Sequence, residues 1–359
     1  MRVKRFFVII LGIIVVLMIS ALLILLVNSP GKTPQLTDTE DQPISSSINE
    51  KKSMSIGGVQ QGMFIRGEDK TKPVLLFLHG GPGTPEFAMS HAWETQDRLE
   101  KEFVVCYWDQ RGTGMSNPKG LKKETLTTSN LIQDTVEVTK YLQKRFDKQQ
   151  IFLMGHSFGS YIGLKTAQKY PENYVAYLGV GQVIHQKEGQ KRAYQYLRDQ
   201  AKEKNDQKAL KKLATFDPEA PAYNMLLEEY GVGIRHDGPA TMKLLKNLLF
   251  FKGYTSKEKW QAIQGMALSN QQLDTPDYSE DNLVKTVPKV DVPVYFLHGK
   301  YDYQVSYEMA KEFYEKVDAP KKGFYTFENS AHSPNMEEPA VFMKAVKEVV
   351  EIVDHQGGR

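Results

Sequence analysis

A single cysteine, Cys106, stands in a chain of 359 residues, so no internal disulfide can form and a disulfide scaffold is excluded. Cys106 lies in the apolar run Phe103-Val-Val-Cys-Tyr-Trp108 and reads as a small buried hydrophobe in a strand. Charge of one sign is lacking too: 46 Lys and Arg oppose 43 Asp and Glu, and Arg2, Lys4 and Arg5 account for the whole excess. Without a basic block beyond them there is no electrostatic footprint for nucleic acid. The chain has no His-Glu-x-x-His and no cysteine pair for a metal, and no Gly-x-x-x-x-Gly-Lys followed by Ser or Thr for phosphate. Neither a metal nor an organic cofactor is expected. At 41% hydrophobic and 25% charged residues the composition is that of a globular chain, with room for one large α/β domain with an insertion, or for two domains.

Charge is missing altogether between residues 6 and 27, an apolar run of 22 residues against the ~20 that a helix needs to cross a bilayer. It is longer than the apolar region of a secretory signal and ends Leu-Leu-Val-Asn-Ser-Pro, without a small-x-small cleavage site. Residues 1–28 are therefore expected to be a retained transmembrane anchor. The basic cluster before the run, set against Asp38, Glu40 and Asp41 after it, places the N-terminus in the cytoplasm and the remainder outside the cell membrane. Residues 29–55, rich in Ser, Thr, Pro and Asp and lacking periodicity, read as a flexible linker.

From residue 56 the chain alternates apolar runs with amphipathic stretches. Residues 56–68 contain Gly-Gly and alternating apolar positions and suggest an edge hairpin. Pro73 to Leu78, Phe103 to Trp108, Ile151 to Met154 and Val292 to Leu297 are continuous apolar strands of the kind buried on both faces of a parallel sheet. Each runs into a polar, glycine-containing loop. Residues 129–146 have helical spacing and suit a crossover helix. Between 185 and 285 the alternation stops: charged helical stretches, the aromatic segment Leu248 to Tyr254 and several prolines read as an inserted helical cap. The expected organisation is a core of residues 56–184 and 286–359 interrupted by that cap, and there is no internal repeat.

The loops carry the chemistry. Gly155-His-Ser-Phe-Gly159 sits between an apolar strand and an amphipathic stretch, the pattern of a nucleophile elbow that lifts the Ser157 hydroxyl above a sheet edge. A serine needs a general base, itself oriented by a carboxylate. Asp302 and His332 follow in the order Ser, acid, His, each just past an expected strand. His79-Gly-Gly-Pro-Gly83, at the end of a core strand, offers backbone amides for an oxyanion. His156, beside the nucleophile, is expected to point elsewhere, and His79, His91, His185, His236, His298 and His355 read as surface or packing residues. Asp109 and Arg111, in Asp109-Gln-Arg-Gly-Thr-Gly114, read as a charged pair that shapes its loop.

Taken together, His79-Gly-Gly-Pro-Gly83, Asp109-Gln-Arg-Gly-Thr-Gly114, Gly155-His-Ser-Phe-Gly159 and His298-Gly-Lys-Tyr-Asp302 resemble the proline iminopeptidase branch of the α/β-hydrolase superfamily. The resemblance covers nearly all of the chain from residue 56 and implies a mostly parallel, doubly wound sheet with a helical cap. It also implies a Ser157, Asp302, His332 triad and an oxyanion hole from the amides of Gly81 and Phe158. Members of that branch remove an N-terminal residue, often proline, from short peptides and hold the free amine with cap carboxylates, for which Glu228 and Glu229 are the candidates. His156 and Phe158 depart from the Gly and Trp common in that branch, and the Gly-His-Ser-x-Gly form is shared with esterases and lipases. An ester hydrolase, and a non-catalytic binding module on the same scaffold, therefore stand as alternatives. The expected partners are the membrane, through the N-terminal helix, and a small-molecule or short-peptide substrate. Retention of the anchor predicts that the mature chain recovered from membranes begins ahead of residue 6. A mature N-terminus near residue 28, read by terminal sequencing, would contradict it.

Overall fold

The computed structural model describes residues 2–90, 97–215 and 224–357. Helix α1 (Arg2–Val27) contains a stretch, Ile9–Val27, long and apolar enough to cross a membrane, and none of that stretch is buried against the protein. The strands are β1 (Ile48–Ile56), β2 (Val59–Gly67), β3 (Val74–Leu78), β4 (Val104–Trp108), β5 (Ile151–His156), β6 (Tyr174–Val180), β7 (Val294–Gly299) and β8 (Lys322–Phe327). They form one sheet in the order β1-β2-β4-β3-β5-β6-β7-β8. β1, β2 and β4 pair antiparallel, and every later pairing is parallel.

The helices of the core are α2 (Glu86–Met89), α3 (Thr128–Phe146) and α4 (Phe158–Lys169) in the first half. Between β6 and β7 the chain passes through α5 (Gln186–Glu203), α6 (Gln207–Thr215), α7 (Asn224–Glu229), α8 (Thr241–Phe250), α9 (Ser256–Leu273), α10 (Pro276–Ser279) and α11 (Leu283–Thr286). It closes with α12 (Tyr307–Lys316), α13 (Pro334–Glu337) and α14 (Pro339–Gly357).

Side-chain alternation along the buried strands sorts the core into two layers. Leu76, Leu78, Leu153 and Phe296 pack with Leu131 and Leu142 of α3, Ile162 and Leu164 of α4, and Phe313 of α12. Leu75, Phe77, Phe152 and Leu297 face the other way, against Phe342, Val346 and Val349 of α14 and Leu248 and Ala262 of α8 and α9. The insertion has a small core of its own, where Leu197 of α5, Leu213 of α6 and Leu227 of α7 meet. Both faces of the sheet are thus covered, and the carboxyl ends of the parallel strands are left as the site of loops.

Two expectations need correction. Residues 29–55 do not form a free linker. Ile48–Ile56 is an edge strand paired with β2 from Ile48↔Gly67 to Ile56↔Val59, and the intervening Gly57 and Gly58 take φ of 55° and 74°, the left-handed pair that a tight hairpin requires. The segment before it is laid on the core. Leu36 is buried, Arg66 Nη1 donates to the Pro34 carbonyl at 3.0 Å, and Arg98 Nη2 donates to that of Thr37 at 2.9 Å. An edge strand written Asn-Glu-Lys-Lys-Ser carries little apolar alternation, so hydrophobic pattern reading passes over it.

Asp109 and Arg111 do not pair with each other. Arg111 makes a two-pronged ion pair with Asp134 of α3, at 2.7 and 2.8 Å, with both side chains buried. Asp109 instead accepts from Tyr254 Oη at 2.6 Å and from the Met115 amide at 2.9 Å, tying the loop after β4 to the helical insertion. Burial pushes the Asp109 carboxyl up to about 7, against the lowering effect of the Tyr254 and Met115 bonds. Arg111→Met would leave the Asp134 carboxylate buried without its partner, at a cost of roughly 3–5 kcal/mol. Chemical denaturation should show an unfolding free energy lower by that amount, and a variant as stable as the parent would contradict this role.

Candidate active site

Ser157 lies between β5 and α4 at φ 54° and ψ −125°, a conformation that L-residues adopt only under constraint. The constraint is close packing. A β-carbon at Gly155 would lie 2.3 Å from the Gly159 carbonyl oxygen, and one at Gly159 would lie 2.2 Å from that of Leu78. Only glycine fits on either side of the elbow. Further bonds hold the turn, from the Ser157 amide to the Val180 carbonyl at 2.9 Å and from Ser160 Oγ to the Ser157 carbonyl at 2.6 Å. Although serine is a favoured helix cap, the Ser157 side chain makes no capping bond. Its hydroxyl is left to the cavity above.

That cavity, of about 360 Å³, is lined by Ser157, His332, Gly80, Gly81, Glu86 and His156 from the core. Ile234, Leu244, Met266 and Asn270 of the insertion close it from the other side. The loop after β3 passes directly beside the serine, since a β-carbon at Gly80 would sit 2.8 Å from Ser157 Cβ. The loop after β8 crosses the end of β6, where a β-carbon at Gly181 would sit 2.8 Å from His332 Cε1. Phe158 contributes its backbone as the first residue of α4, and the first amides of a helix have no partner within it. Gly81 and the Phe158 amide therefore flank Ser157 on the loop side and the helix side.

Behind the cavity, His332 Nδ1 donates to Asp302 Oδ2 at 2.8 Å. Asp302 is buried and fully engaged: its other oxygen accepts the Val305 amide at 2.8 Å, and His298 Nε2 lies 3.0 Å from Oδ2. Burial alone would raise the Asp302 pKa, but the adjacent His332 and the His298 N–H outweigh it and bring it down to about 2. Asp302 is thus a fixed anion, and it sets the His332 tautomer with the proton on Nδ1. Burial also pushes His332 below the ordinary histidine value, opposed by Asp302. At neutral pH its Nε2 carries a lone pair.

A second histidine and carboxylate stand back to back with the first. His156 Nδ1 faces Glu86 Oε2 at 2.8 Å and its Nε2 faces the His332 carbonyl at 3.0 Å. Both ring nitrogens meet oxygen acceptors, so both carry protons and His156 is an imidazolium. Burial disfavours that charge, but the Glu86 carboxylate prevails and raises the His156 pKa, while His156 in turn holds Glu86 low. The two rings are 4.9 Å apart, and the His156 charge adds to the lowering of His332.

Of the residues expected from sequence, Ser157, His332 and Gly81 share the cavity wall, with Asp302 behind and Phe158 at the helix start. Glu228 and Glu229 are not brought there. Glu228 accepts from the Ala240 amide and Thr241 Oγ1, which staples α7 to α8, and Glu229 pairs with Lys212 at the surface. His156 does not point elsewhere; it lines the cavity. His298 is more than a packing residue, since its Nε2 faces Asp302 behind the cavity; His79 is buried in the loop after β3, and His91 lies outside the described residues. Sequence reasoning missed Glu86, six residues beyond Gly80 in a four-residue helix, and Gln304, whose buried Oε1 has no partner among the described residues. The only signal for Glu86 was an acid just past the glycine-rich loop.

This sheet order, elbow and histidine-carboxylate pair define an α/β hydrolase. The family described as alpha/beta hydrolase fold matches residues 73–339, and the chain belongs to it. Its relatives include a probable aminopeptidase, YbaC, of Bacillus subtilis, 34% identical over 308 residues that cover 84% of this chain and 96% of that one. The proline iminopeptidase of Saccharolobus solfataricus is 25% identical over 80% of this chain and 87% of its own length. Among solved structures, the proline iminopeptidase of Mycobacterium smegmatis superposes with a TM-score of 0.63 at 16% identity, covering 86% of this chain and all of that one.

The lowered His332 pKa has a direct consequence for a reaction in which this residue acts as base. The neutral form persists as pH falls through 6.5 and is lost only below it, so the acid limb of kcat/KM should have its midpoint below 6.5. His156→Gln removes the neighbouring positive charge and should move that midpoint upward. A parent midpoint above 7, or a downward shift in the variant, would contradict this electrostatic account.

Proposed function

We propose that the chain is a membrane-anchored serine hydrolase that removes the N-terminal residue, proline or another small residue, from short peptides or amino-acid amides through an acyl-enzyme. In this reading Ser157 Oγ attacks the carbonyl carbon as His332 Nε2 takes its proton. Asp302 holds the ring and stabilises the imidazolium. The amides of Gly81 and Phe158 hold the oxyanion, at about 3 kcal/mol per donor in the transition state. His332 then gives its proton to the leaving amine, and water, activated by the same residue, hydrolyses the acyl-enzyme. The segment 185–285 acts as the cap over this site, and α1 holds the whole at the membrane.

The observation that carries the reading is the convergence of an uncapped, strained Ser157 with the bonded His332 and Asp302 pair at one cavity. The YbaC relative, named as a probable aminopeptidase, favours a peptide substrate. The cavity lining is compatible with a free amine. Glu86 Oε1 meets only a long 3.4 Å contact from Asn335 Nδ2 among the described bonds, and Gln304 Oε1 is unpartnered. Acceptors of this kind suit the N–H groups of an ammonium, with Glu86 and Gln304 in the place of Glu228 and Glu229.

Steady-state turnover tests this. Prolyl and alanyl arylamides should be cleaved with a higher kcat/KM than short acyl esters, N-acetylation of the arylamides should abolish turnover, and Ser157→Ala should lower kcat by about 10⁴-fold or more. Equal or better turnover of the esters, indifferent to a free amine, would make the protein an esterase instead.

A further inference from the structure

The chain leaving α1 is fastened to the helical insertion within a few residues. Lys259, the fourth residue of α9, donates to the carbonyl of Asn28 at 2.6 Å and also to that of Leu249 in the last turn of α8. One ammonium thus caps the carboxyl ends of two helices, where the helix dipoles favour a cation. Pro30 bridges to Thr255, and the Lys32 amide donates to the Lys252 carbonyl at 3.0 Å. Two carbonyls that share one Nζ lie within about 6 Å of each other, twice a hydrogen-bond length. Asn28 follows the last residue of the apolar run, so the Leu249 carbonyl lies beside the point where that run ends.

The outer faces of α8 and α9 are apolar at that level. On α8, Met242, Leu249 and Phe250 are exposed at helical spacing, and on α9 Trp260 and Ile263 are exposed one turn apart, with Met242 at 76% and Trp260 at 61%. Lys243, Lys246, Lys252 and Lys257 are exposed among them. The one acid in this stretch, Glu258, is tied to Lys51 at 2.6 Å and to the Thr255 cap. Trp, Phe and Leu interleaved with lysine is the composition of a surface that rests in the interfacial layer, and its positive charge complements anionic head groups.

We propose that the outer face of α8 and α9 is a bilayer-contact surface, seated in the anionic head-group layer of the membrane that α1 enters. The proposal rests on the reading of α1 as an anchor. It adds that the catalytic domain does not hang free on its tether but lies on the membrane through the insertion. The same two helices present Leu244 and Met266 to the cavity, so bilayer contact holds one wall of the site in place.

The test uses the full chain reconstituted into vesicles of phosphatidylcholine and phosphatidylglycerol in equal parts. Cys106 is buried, so a single introduced cysteine can carry an environment-sensitive dye. The dye on Ile263→Cys should emit to the blue, be quenched by lipids spin-labelled near the head group, and be several-fold less open to a water-soluble quencher than in detergent. The dye on Glu315→Cys, on α12 against the opposite core layer, should stay aqueous. Adding Lys243→Glu and Lys246→Glu should weaken the Ile263 signal. If the chain floats with the vesicles but the Ile263 dye is as aqueous as the Glu315 dye, the docking surface is overturned while the anchor stands. If the chain does not float with vesicles at all, the anchor reading falls and the docking surface with it.

Discussion

The geometry of the site hangs on the packing of α4 against β5 and the end of β3, where Gly155 and Gly159 let backbones approach closer than any side chain would allow. That contact forces Ser157 to φ 54°, at a local cost of about 1–3 kcal/mol that the packed sheet on either side must offset. The return is a hydroxyl at the carboxyl edge of the sheet, uncapped, with the first amides of α4 beside it. Loops from β3, β6, β7 and β8 reach the same edge because their strands are parallel neighbours. Parallel order therefore gathers residues separated by more than two hundred positions.

Electrostatically, the site is two histidine-carboxylate pairs sharing one wall. Asp302 is held as an anion by His332 and His298, and Glu86 is held as an anion by His156. The pairs differ in the demand on the second ring nitrogen. His332 needs only one proton, on Nδ1, whereas His156 meets oxygen on both sides and keeps two. A positive ring 4.9 Å from a neutral one makes protonating the second harder, which favours the neutral form of His332. The bond from His156 to the His332 carbonyl also fixes the loop that carries His332.

Much of this was legible in the sequence because it depends on short-range pattern. Continuous apolar runs of five or six residues report strands buried on both faces, and glycines flanking a serine report a crowded turn. Ser157 and Asp302 stand just past such strands and His332 just past the less buried β8, whereas Gly81 follows from the family resemblance. What the sequence hid is what depends on long-range packing. Edge strand β1 is mostly polar because one of its sides has no neighbour, so its alternation is faint. Arg111 finds Asp134 on another element and not the nearby Asp109, since a buried guanidinium takes whichever carboxylate the fold brings into two-pronged reach. Glu228 and Glu229 looked like substrate ligands by type alone, yet one caps a helix start and the other pairs at the surface. Glu86 gave no periodic signal at all.

The central claim is that Ser157 is a nucleophile activated by His332. Intact-mass spectrometry of the purified chain after exposure to a fluorophosphonate tests it most directly. The account predicts one covalent adduct per chain, mapped to Ser157, lost in Ser157→Ala and slowed by orders of magnitude in His332→Ala. A folded protein that acquires no adduct, or one whose adduct persists in Ser157→Ala, would contradict it.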